Sequence, residues 1–190
     1  MPNRTDPRIT RTARAFEQAI VELAAQRPVS QITVADLAER AGVTRATFYN
    51  RYSSPLQLLI QVLDADLKRC LRLKESRQAE GRHSAGQIVR LTVSDVADHV
   101  ERFIEVYRHA LRDPAGQGVY EALIRYFTDR ALEVFARSAH PDLPRASHQV
   151  IAQFFAYGFA GAIKGWLSDE AVTKADLVEA AMACTPAWWG

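Results

Sequence analysis

The sequence has 190 residues, a formal net charge of +2 and 48% hydrophobic residues, enough apolar side chains for a folded core. Wholesale disorder is therefore excluded. Only two cysteines occur, Cys70 and Cys184, which excludes a disulfide framework or a cysteine zinc site. The N-terminus has no apolar run, and the longest strongly apolar stretch, 154–163, ends at Lys164. We therefore expect a cytoplasmic protein with neither a signal peptide nor a membrane span.

The small net charge is unevenly distributed. Residues 1–60 carry +3 and the remainder carries −1. The first fourteen residues hold four arginines against one acid, Asp6. A basic arm before a near-neutral body is typical of nucleic-acid binding, although a solvated tail has the same composition.

Apolar residues recur at helical spacing along the chain, and no stretch alternates with a period of two. The sequence therefore predicts an all-α protein of about nine helices. We expect the first helices over 9–25, 34–41, 45–51 and from 55 to beyond 71. A polar stretch at 75–87 predicts a connection, and further helices are expected over 96–111, 119–134, 146–167 and from 173 onward.

The segment 33–52 has the pattern of a helix-turn-helix. Thr33 and Asp36 have capping-box spacing, and Gly42 stands where the chain must turn with a positive φ. Thr44 can cap the second helix, whose residues Phe48 and Tyr52 share one side. Each feature alone is usually only a helix cap or a core position. Their order and spacing together predict a helix-turn-helix.

The outer side of the second helix is suited to the major groove of DNA. Arginine pairs with guanine, asparagine pairs with adenine, small residues permit close approach, and hydroxyls bind phosphate. The residues predicted to project outward are Arg45, Ala46, Thr47, Tyr49 and Asn50. The helix that starts at Ser54-Pro55 has a well-defined N-terminus, which offers amides to a phosphate.

Residues 9–60 resemble the N-terminal domain of the TetR family of bacterial transcriptional regulators. The residues that carry the resemblance are the segments 32–38 and 41–44, with Thr47, Phe48, Tyr49, Tyr52, Leu56, Leu58 and Leu59. The resemblance implies a three-helix DNA-binding head, a homodimer on a palindromic operator, and a helical body that releases DNA when a small-molecule effector binds. It also implies DNA contacts at Thr33, Thr44, Arg45, Thr47, Tyr49 and Arg51.

We accordingly expect an N-terminal arm and helix-turn-helix domain at 1–53 and an effector-binding and dimerisation domain at 54–190. Two positions depart from the family pattern. Many members have a phosphate-binding lysine where this chain has Pro55, and Asn50 stands where an aromatic residue is common. Arg51 or the basic arm is a candidate replacement for the missing charge.

A row of small residues lies along the helix predicted at 146–167. Gly158, Gly161, Ala162 and Gly165 share one face, which predicts close approach of another helix. Packing within the chain would also explain them, but a protein that binds a palindromic DNA site needs a second copy related by two-fold symmetry. The predicted dimer interface comprises Gly158, Gly161, Ala162, Gly165, Trp166, Leu177 and Ala181.

An effector pocket is expected among the middle helices, for a hydrophobic or aromatic molecule. Aromatic residues at helical spacing are more often core than pocket, so both interpretations stay open for each candidate. The candidates are His99, Phe103, Tyr107, Tyr120, Arg125, Tyr126, Phe127 and Phe154.

No catalytic signature is found. The five histidines include no i, i+4 pair, and no phosphate loop, nucleophile elbow or paired acids stand out. We therefore expect no metal, no cofactor and no enzyme activity. A small helical enzyme or ligand-binding protein with purely structural N-terminal helices is the alternative, and the choice between repressor and activator stays open. The tail Trp188-Trp189 could either dock on the body or lie exposed.

Overall fold

The computed structural model describes residues 7–78, 85–137 and 140–189, and within these ranges the protein forms nine α-helices and no strand. The predicted all-α fold is confirmed. The helices are α1 (Pro7–Ala24), α2 (Val34–Ala41), α3 (Arg45–Tyr49), α4 (Pro55–Gln78), α5 (Ala85–Arg102), α6 (Ile104–Arg112), α7 (Gln117–Arg137), α8 (His148–Ser168) and α9 (Lys174–Ala183). Short 3-10 turns occur at Val29–Gln31, Pro114–Gly116 and Ala187–Trp189.

Three sequence-based boundaries were wrong. α3 ends at Tyr49 instead of residue 51, with Asn50 as its C-cap. The connection predicted at 75–87 is helical up to Gln78 and again from Ala85, and residues 79–84 lie outside the described ranges. The single helix predicted at 96–111 is two helices, since α5 ends at Arg102 and α6 begins at Ile104. At the break the Phe103 amide donates to both the His99 and the Val100 carbonyls, each at 3.2 Å.

The chain divides into two compact units. The head unit comprises the described residues up to Leu63 together with Glu105–Val119, and so includes α1–α3 and most of α6. The body unit comprises Asp64–Ile104 and the described residues from Tyr120 onward. The boundary between 53 and 54 predicted above divides the chain by function, and it stays a prediction.

An aromatic cluster forms the centre of the head unit. The Phe48 side chain is 0% exposed, and its ring centroid lies 5.4 Å from those of Phe16 and Tyr52. The Phe16 and Phe48 rings meet edge to face at 79°, the arrangement that aromatic quadrupoles favour. α3 is thereby fixed against α1 by its one fully buried side chain.

The corner between α6 and α7 also belongs to the head unit. The buried Asp113 carboxylate accepts hydrogen bonds from the amides of Ser30 and Ala115, each at 3.0 Å. Burial raises the pKa of Asp113, but these hydrogen bonds outweigh it and the net pKa is lowered. Gly116 is required here, because a Cβ would lie 2.6 Å from the Ala110 backbone. The turn between α1 and α2 is therefore bonded to residues far along the chain.

The aromatic tail packs into the body unit. Trp188 and Trp189 lie against a cluster of Ala131, Phe135 and Ala152, and the Trp189 ring centroid is 4.9 Å from that of Phe135. Of the two alternatives left open by the sequence, the structure shows docking. The tail thus extends this hydrophobic cluster.

A hydrogen-bonded pair of polar side chains is buried elsewhere in the body unit. His99 is fully buried and its Nδ1 atom lies 2.9 Å from a carboxylate oxygen of Asp66, so Nδ1 carries the hydrogen and donates it. Arg69 also donates to Asp66, and an Arg102 nitrogen lies 3.6 Å away. These donors stabilise the carboxylate, and a buried polar contact joins α5 to α4.

Candidate nucleic-acid interface

α2 begins at a complete capping box. The Asp36 amide donates to the Thr33 hydroxyl at 3.2 Å, and the Thr33 amide donates to the Asp36 carboxylate at 2.9 Å. The hydrogen bond from the Thr33 amide is the largest cause that lowers the pKa of Asp36. Arg27 reaches the same carboxylate at 2.8 Å. The predicted cap is present, and the start of α2 is fixed to one residue.

The turn between α2 and α3 has the left-handed conformation that glycine favours. Gly42 has φ 66° and ψ 35°, and the Val43 amide donates to the Ala38 carbonyl at 2.9 Å. Thr44 then caps α3 by accepting from the Thr47 amide at 3.3 Å. The two threonine hydroxyls lie 2.9 Å apart and share a hydrogen bond. The geometry is that of a helix-turn-helix.

α3 presents one polar face to solvent. Phe48 points inward, whereas the predicted DNA contacts Arg45, Ala46, Tyr49, Asn50 and Arg51 are exposed, as are Thr33 and Thr44, and Thr47 is half-buried. The Tyr49 ring meets the Phe48 ring at 86°, with centroids 5.7 Å apart, so it is oriented although 63% exposed. The structure thus gathers the predicted residues on one accessible face.

The arginines of the head differ in their partners. Arg27 is paired with Asp36, and Arg40 with Glu22 at 2.5 Å. Arg45, by contrast, forms no ion pair with any residue that the structure describes. Its charge is directed to solvent, as a base-contacting residue requires before DNA binds.

Part of the basic arm is helical. Arg8, Arg11 and Arg14 lie exposed on the first turns of α1, and Arg4 lies outside the described residues. At the start of α4, the Gln57 amide donates to Ser54 Oγ at 3.1 Å and the Ser53 amide donates to Gln57 Oε1 at 2.8 Å. These two amides are already satisfied, so a phosphate would have to displace the caps to use them.

The helix-turn-helix segment was compared with models of known protein families. Residues 18–62 match the family model of bacterial regulatory proteins, tetR family. The head is therefore similar to the DNA-binding domain of TetR-family regulators. The resemblance inferred from the helix-turn-helix residues is thereby confirmed. A comparison with curated proteins finds no significant match.

Solved structures of similar fold extend over the body as well. The dihydroxyacetone kinase operon activator DhaS is 12% identical with a TM-score of 0.63, over 90% of this chain and 92% of that chain. FadR from Bacillus subtilis in complex with stearoyl-CoA is 16% identical with a TM-score of 0.60, over 90% and 94%. NalD from Pseudomonas aeruginosa, the secondary repressor of the MexAB-OprM efflux pump, is 19% identical with a TM-score of 0.53, over 92% and 96%. At these identities the likeness shows the TetR-family fold alone.

The residues predicted to line an effector pocket are dispersed. His99, Tyr120 and Tyr126 are buried in the body unit, and Tyr107 is buried in the head unit. Phe103 is half-buried, whereas Arg125 and Phe154 are exposed. Among the eight, Phe127 alone lines the cavity described next. Their role in a pocket stays a prediction.

A small cavity lies in the body unit between α5, α7, α8 and α9. Its volume is about 10 Å³, close to that of one water-sized sphere. All of its lining residues are apolar: Val93, Val96, Ala97, Phe127, Phe159, Ile163, Leu177 and Ala181. The sequence analysis missed seven of them, because an apolar residue on a helix gives no signal that distinguishes a cavity from a packed core.

α8 has an open apolar face. A Cβ added at Gly158, Gly161 or Gly165 would meet nothing within 4 Å in the described structure. Phe154 and Tyr157 beside them are 74% and 63% exposed. Packing within the described chain therefore does not explain the glycines. Three other predicted interface residues face inward, since Trp166, Leu177 and Ala181 are buried in the body, and Ala162 is half-buried.

By length and composition α8 is also apolar enough to cross a membrane, and it is the one such helix among the residues searched. Its other side argues for a core helix, because Ala152, Ala156, Ala160 and Ile163 are buried in the body unit. An apolar helix with one buried and one open side is what a protein interface requires.

Proposed function

We propose that the protein is a cytoplasmic, ligand-responsive transcriptional repressor that binds a palindromic operator as a homodimer through α3. The observation that carries this proposal is the exposed polar face of α3, held by the buried Phe48 within a TetR-family head. Arg45 and Asn50 would read bases, and Thr44, Thr47, Tyr49 and Arg51 would position the helix on phosphates. Thr33 at the start of α2 would add a phosphate contact.

The assignment of α3 is tested with two matched arginine variants. Arg45→Ala should lower discrimination between operator and random DNA about tenfold, which corresponds to the loss of one good base contact. Arg40→Ala removes the same charge from the head, but outside α3, and should change both affinities little. Fluorescence anisotropy on promoter fragments measures both, and equal behaviour of the two variants would contradict the assignment.

Tyr49→Phe supplies a second arm of the same test. Loss of a phosphate contact should weaken operator and random DNA about equally, because phosphate contacts carry no sequence information. Affinity should also fall steeply with salt, since bound arginines displace counterions. In vitro transcription with the same fragments distinguishes a repressor from an activator.

The homodimer is proposed to form through the open face of α8. The glycine row and the exposed Val150, Phe154 and Tyr157 would meet the same face of a second copy around a two-fold axis. The two α3 helices would then lie roughly 34–36 Å apart, one turn of DNA. Lys174-Ala175-Asp176 at the start of α9 would flank this contact.

Gly161→Leu tests this interface. The side chain has open space in the single chain, so unfolding should be unaffected, whereas the close approach of two helices would be blocked. Ala136→Leu adds the same exposed leucine on α7 and serves as the control. Light scattering should show a monomer for Gly161→Leu and a dimer for the control, and a dimer for both would exclude this face.

The body is proposed to bind a small-molecule effector that stabilises a conformation with a different α3 separation. A ligand that binds the native protein raises its melting temperature, so thermal shift identifies candidates. A stabiliser that also releases the protein from its operator would establish the mechanism. Stabilisers without any effect on operator binding would contradict it.

A further inference from the structure

The open face of α8 has bulky side chains along its first half and glycines along its second half. The bulky side chains are 64%, 74% and 63% exposed, in the order Val150, Phe154 and Tyr157. Within the described part of the chain, a Cβ would meet nothing within 4 Å at the glycines that follow, Gly158, Gly161 and Gly165. One half of the face therefore projects into solvent, whereas the other half leaves the helix backbone accessible.

The bulky residues and the glycines are placed symmetrically along the helix. Phe154 and Gly161 lie equally far on either side of the point between residues 157 and 158, and so do Val150 and Gly165. No other point on α8 is midway between a glycine of this face and each of its three bulky residues. In a two-fold contact, a residue that meets another is met by it in return. An antiparallel second copy with its axis at this point would therefore place each large side chain at the level of a glycine.

We propose that two copies of α8 pack antiparallel about a two-fold axis at the level of residues 157–158, with large side chains seated on glycines. Phe154 would lie over Gly161 of the second copy, and Val150 over Gly165 of the second copy. Consecutive residues point about 100° apart around a helix, so Tyr157 and Gly158 would flank the axis on opposite sides, each beside its own counterpart. The proposal rests on the homodimer of the proposed function and specifies its register.

The charges around the open face favour the same arrangement. Along residues 150–165 the one charged side chain is Lys164, whose ammonium lies 4.8 Å from the Tyr120 ring centroid and is therefore held against its own chain. Arg145 precedes α8 and Glu170 follows it, and both are exposed. Antiparallel helices bring the start of one to the end of the other, so these opposite charges would meet, whereas parallel helices would bring like charges together.

The same order of side chains selects a copy of this chain over an unrelated helix. A partner with another order would set a ring against a ring or leave the glycines uncovered, and both lower the packing density of the contact. A second copy satisfies all the pairs at once, because the two-fold axis repeats each of them. The occupant that fits this face is therefore a second α8.

The level of the axis is tested with single cysteines in a Cys70→Ser, Cys184→Ser background. Gly158→Cys would place the two new thiols about 1.5 Å apart along the helix direction, whereas Gly165→Cys would separate them by about 22 Å. Disulfides form between Cα atoms less than about 7 Å apart, so Gly158→Cys should crosslink rapidly under mild oxidation and Gly165→Cys should not. Non-reducing gel electrophoresis measures both. A dimer that crosslinks no faster through Gly158→Cys than through Gly165→Cys would overturn the register.

The pairing of rings with glycines is tested by an exchange. Gly161→Phe has open space in the single chain, but sets its ring against Phe154 of the second copy and should weaken the dimer at least about tenfold. Addition of Phe154→Ala returns the pair to one large and one small side chain, and should restore the dimer to within about threefold of the wild type.

The control for this exchange combines Phe154→Ala with Gly165→Phe. The same ring then faces Val150 of the second copy, so the dimer should stay at least about tenfold weaker than the wild type. Sedimentation equilibrium gives the dissociation constants, and equal constants for the two double variants would overturn the pairing. A monomeric wild-type protein would refute the homodimer and this register together, whereas a wild-type dimer without these differences refutes the register alone. Operator affinity of the wild type is measured separately, so the regulator function is judged independently.

Discussion

The head and the body differ in how far their apolar side chains are buried and their helix ends are capped. In the head, α2 and α3 start at threonine caps, the turn between them is a left-handed glycine, and Phe48 is sealed among aromatic rings. In the body, α8 leaves phenylalanine, tyrosine and valine exposed, and a cavity persists beneath α9. A DNA-binding protein gains affinity when its contact helix is ordered before binding, since less conformational entropy is then lost on docking. A body that binds a ligand and a second copy of the chain, as proposed above, needs exposed apolar surface.

The strongest test of this contrast replaces one phenylalanine by alanine in each region. Phe48→Ala should destabilise the protein by about 3–5 kcal/mol, because it leaves a cavity among Phe16 and Tyr52, and operator binding should be lost. Phe154→Ala removes an exposed ring and should cost the folded monomer less than about 1 kcal/mol while weakening the dimer. Urea unfolding, light scattering and anisotropy measure the three effects. Similar destabilisation by both variants would refute the contrast.

The hydrogen-bonded pair of Asp66 and His99 in the body gives an effect of intermediate size on stability. The hydrogen bond from His99, with help from Arg69, lowers the pKa of Asp66 from 3.8 to about 2 against the effect of burial. A carboxyl with a lowered pKa in the folded state contributes stability above its unfolded pKa, and that contribution is lost as the pH falls. About 2 kcal/mol should therefore disappear between pH 4 and 2.

Asp66→Asn should remove this loss of stability at acid pH and lower the free energy of unfolding at neutral pH. The control is Asp64→Asn on the same helix, whose exposed ion pair with Lys68 should contribute little. Urea unfolding at several pH values separates the two variants. An acid dependence that persists in Asp66→Asn would assign the effect to other groups.

The smallest expected effect compares two capping boxes of the same sequence pattern. Thr33 with Asp36 caps α2 in the head, and Thr173 with Asp176 caps α9 in the body. Replacement of either threonine by alanine should cost about 1 kcal/mol of stability. Only Thr33→Ala should also weaken operator binding, since α2 and its start belong to the proposed interface. Equal loss of operator affinity in both variants would show that DNA binding follows overall stability.

The sequence was most informative where structure is determined locally. The range of α2, its capping box, the glycine turn and the exposed face of α3 were all predictable, because caps and turns depend on residues three or four positions apart. The break at Phe103 was not, since apolar spacing continues through it from Val100 to Tyr107.

The cavity lining and the inward orientation of Trp166 and Leu177 were also beyond the sequence. Their burial depends on which helices meet in the folded body, and helical periodicity shows only that a residue lies on an apolar face. The row of glycines on α8 could be read from the sequence. That no other part of the described chain packs against it is known only from the structure.

The bond between Asp113 and the Ser30 amide spans 83 positions of the chain. During synthesis the helix-turn-helix leaves the ribosome long before the corner that Asp113 anchors. The head unit therefore cannot complete its packing until residue 119 of 190 has emerged. A nascent chain of this protein therefore completes its head unit only after residues 64–104 of the body unit have also been made.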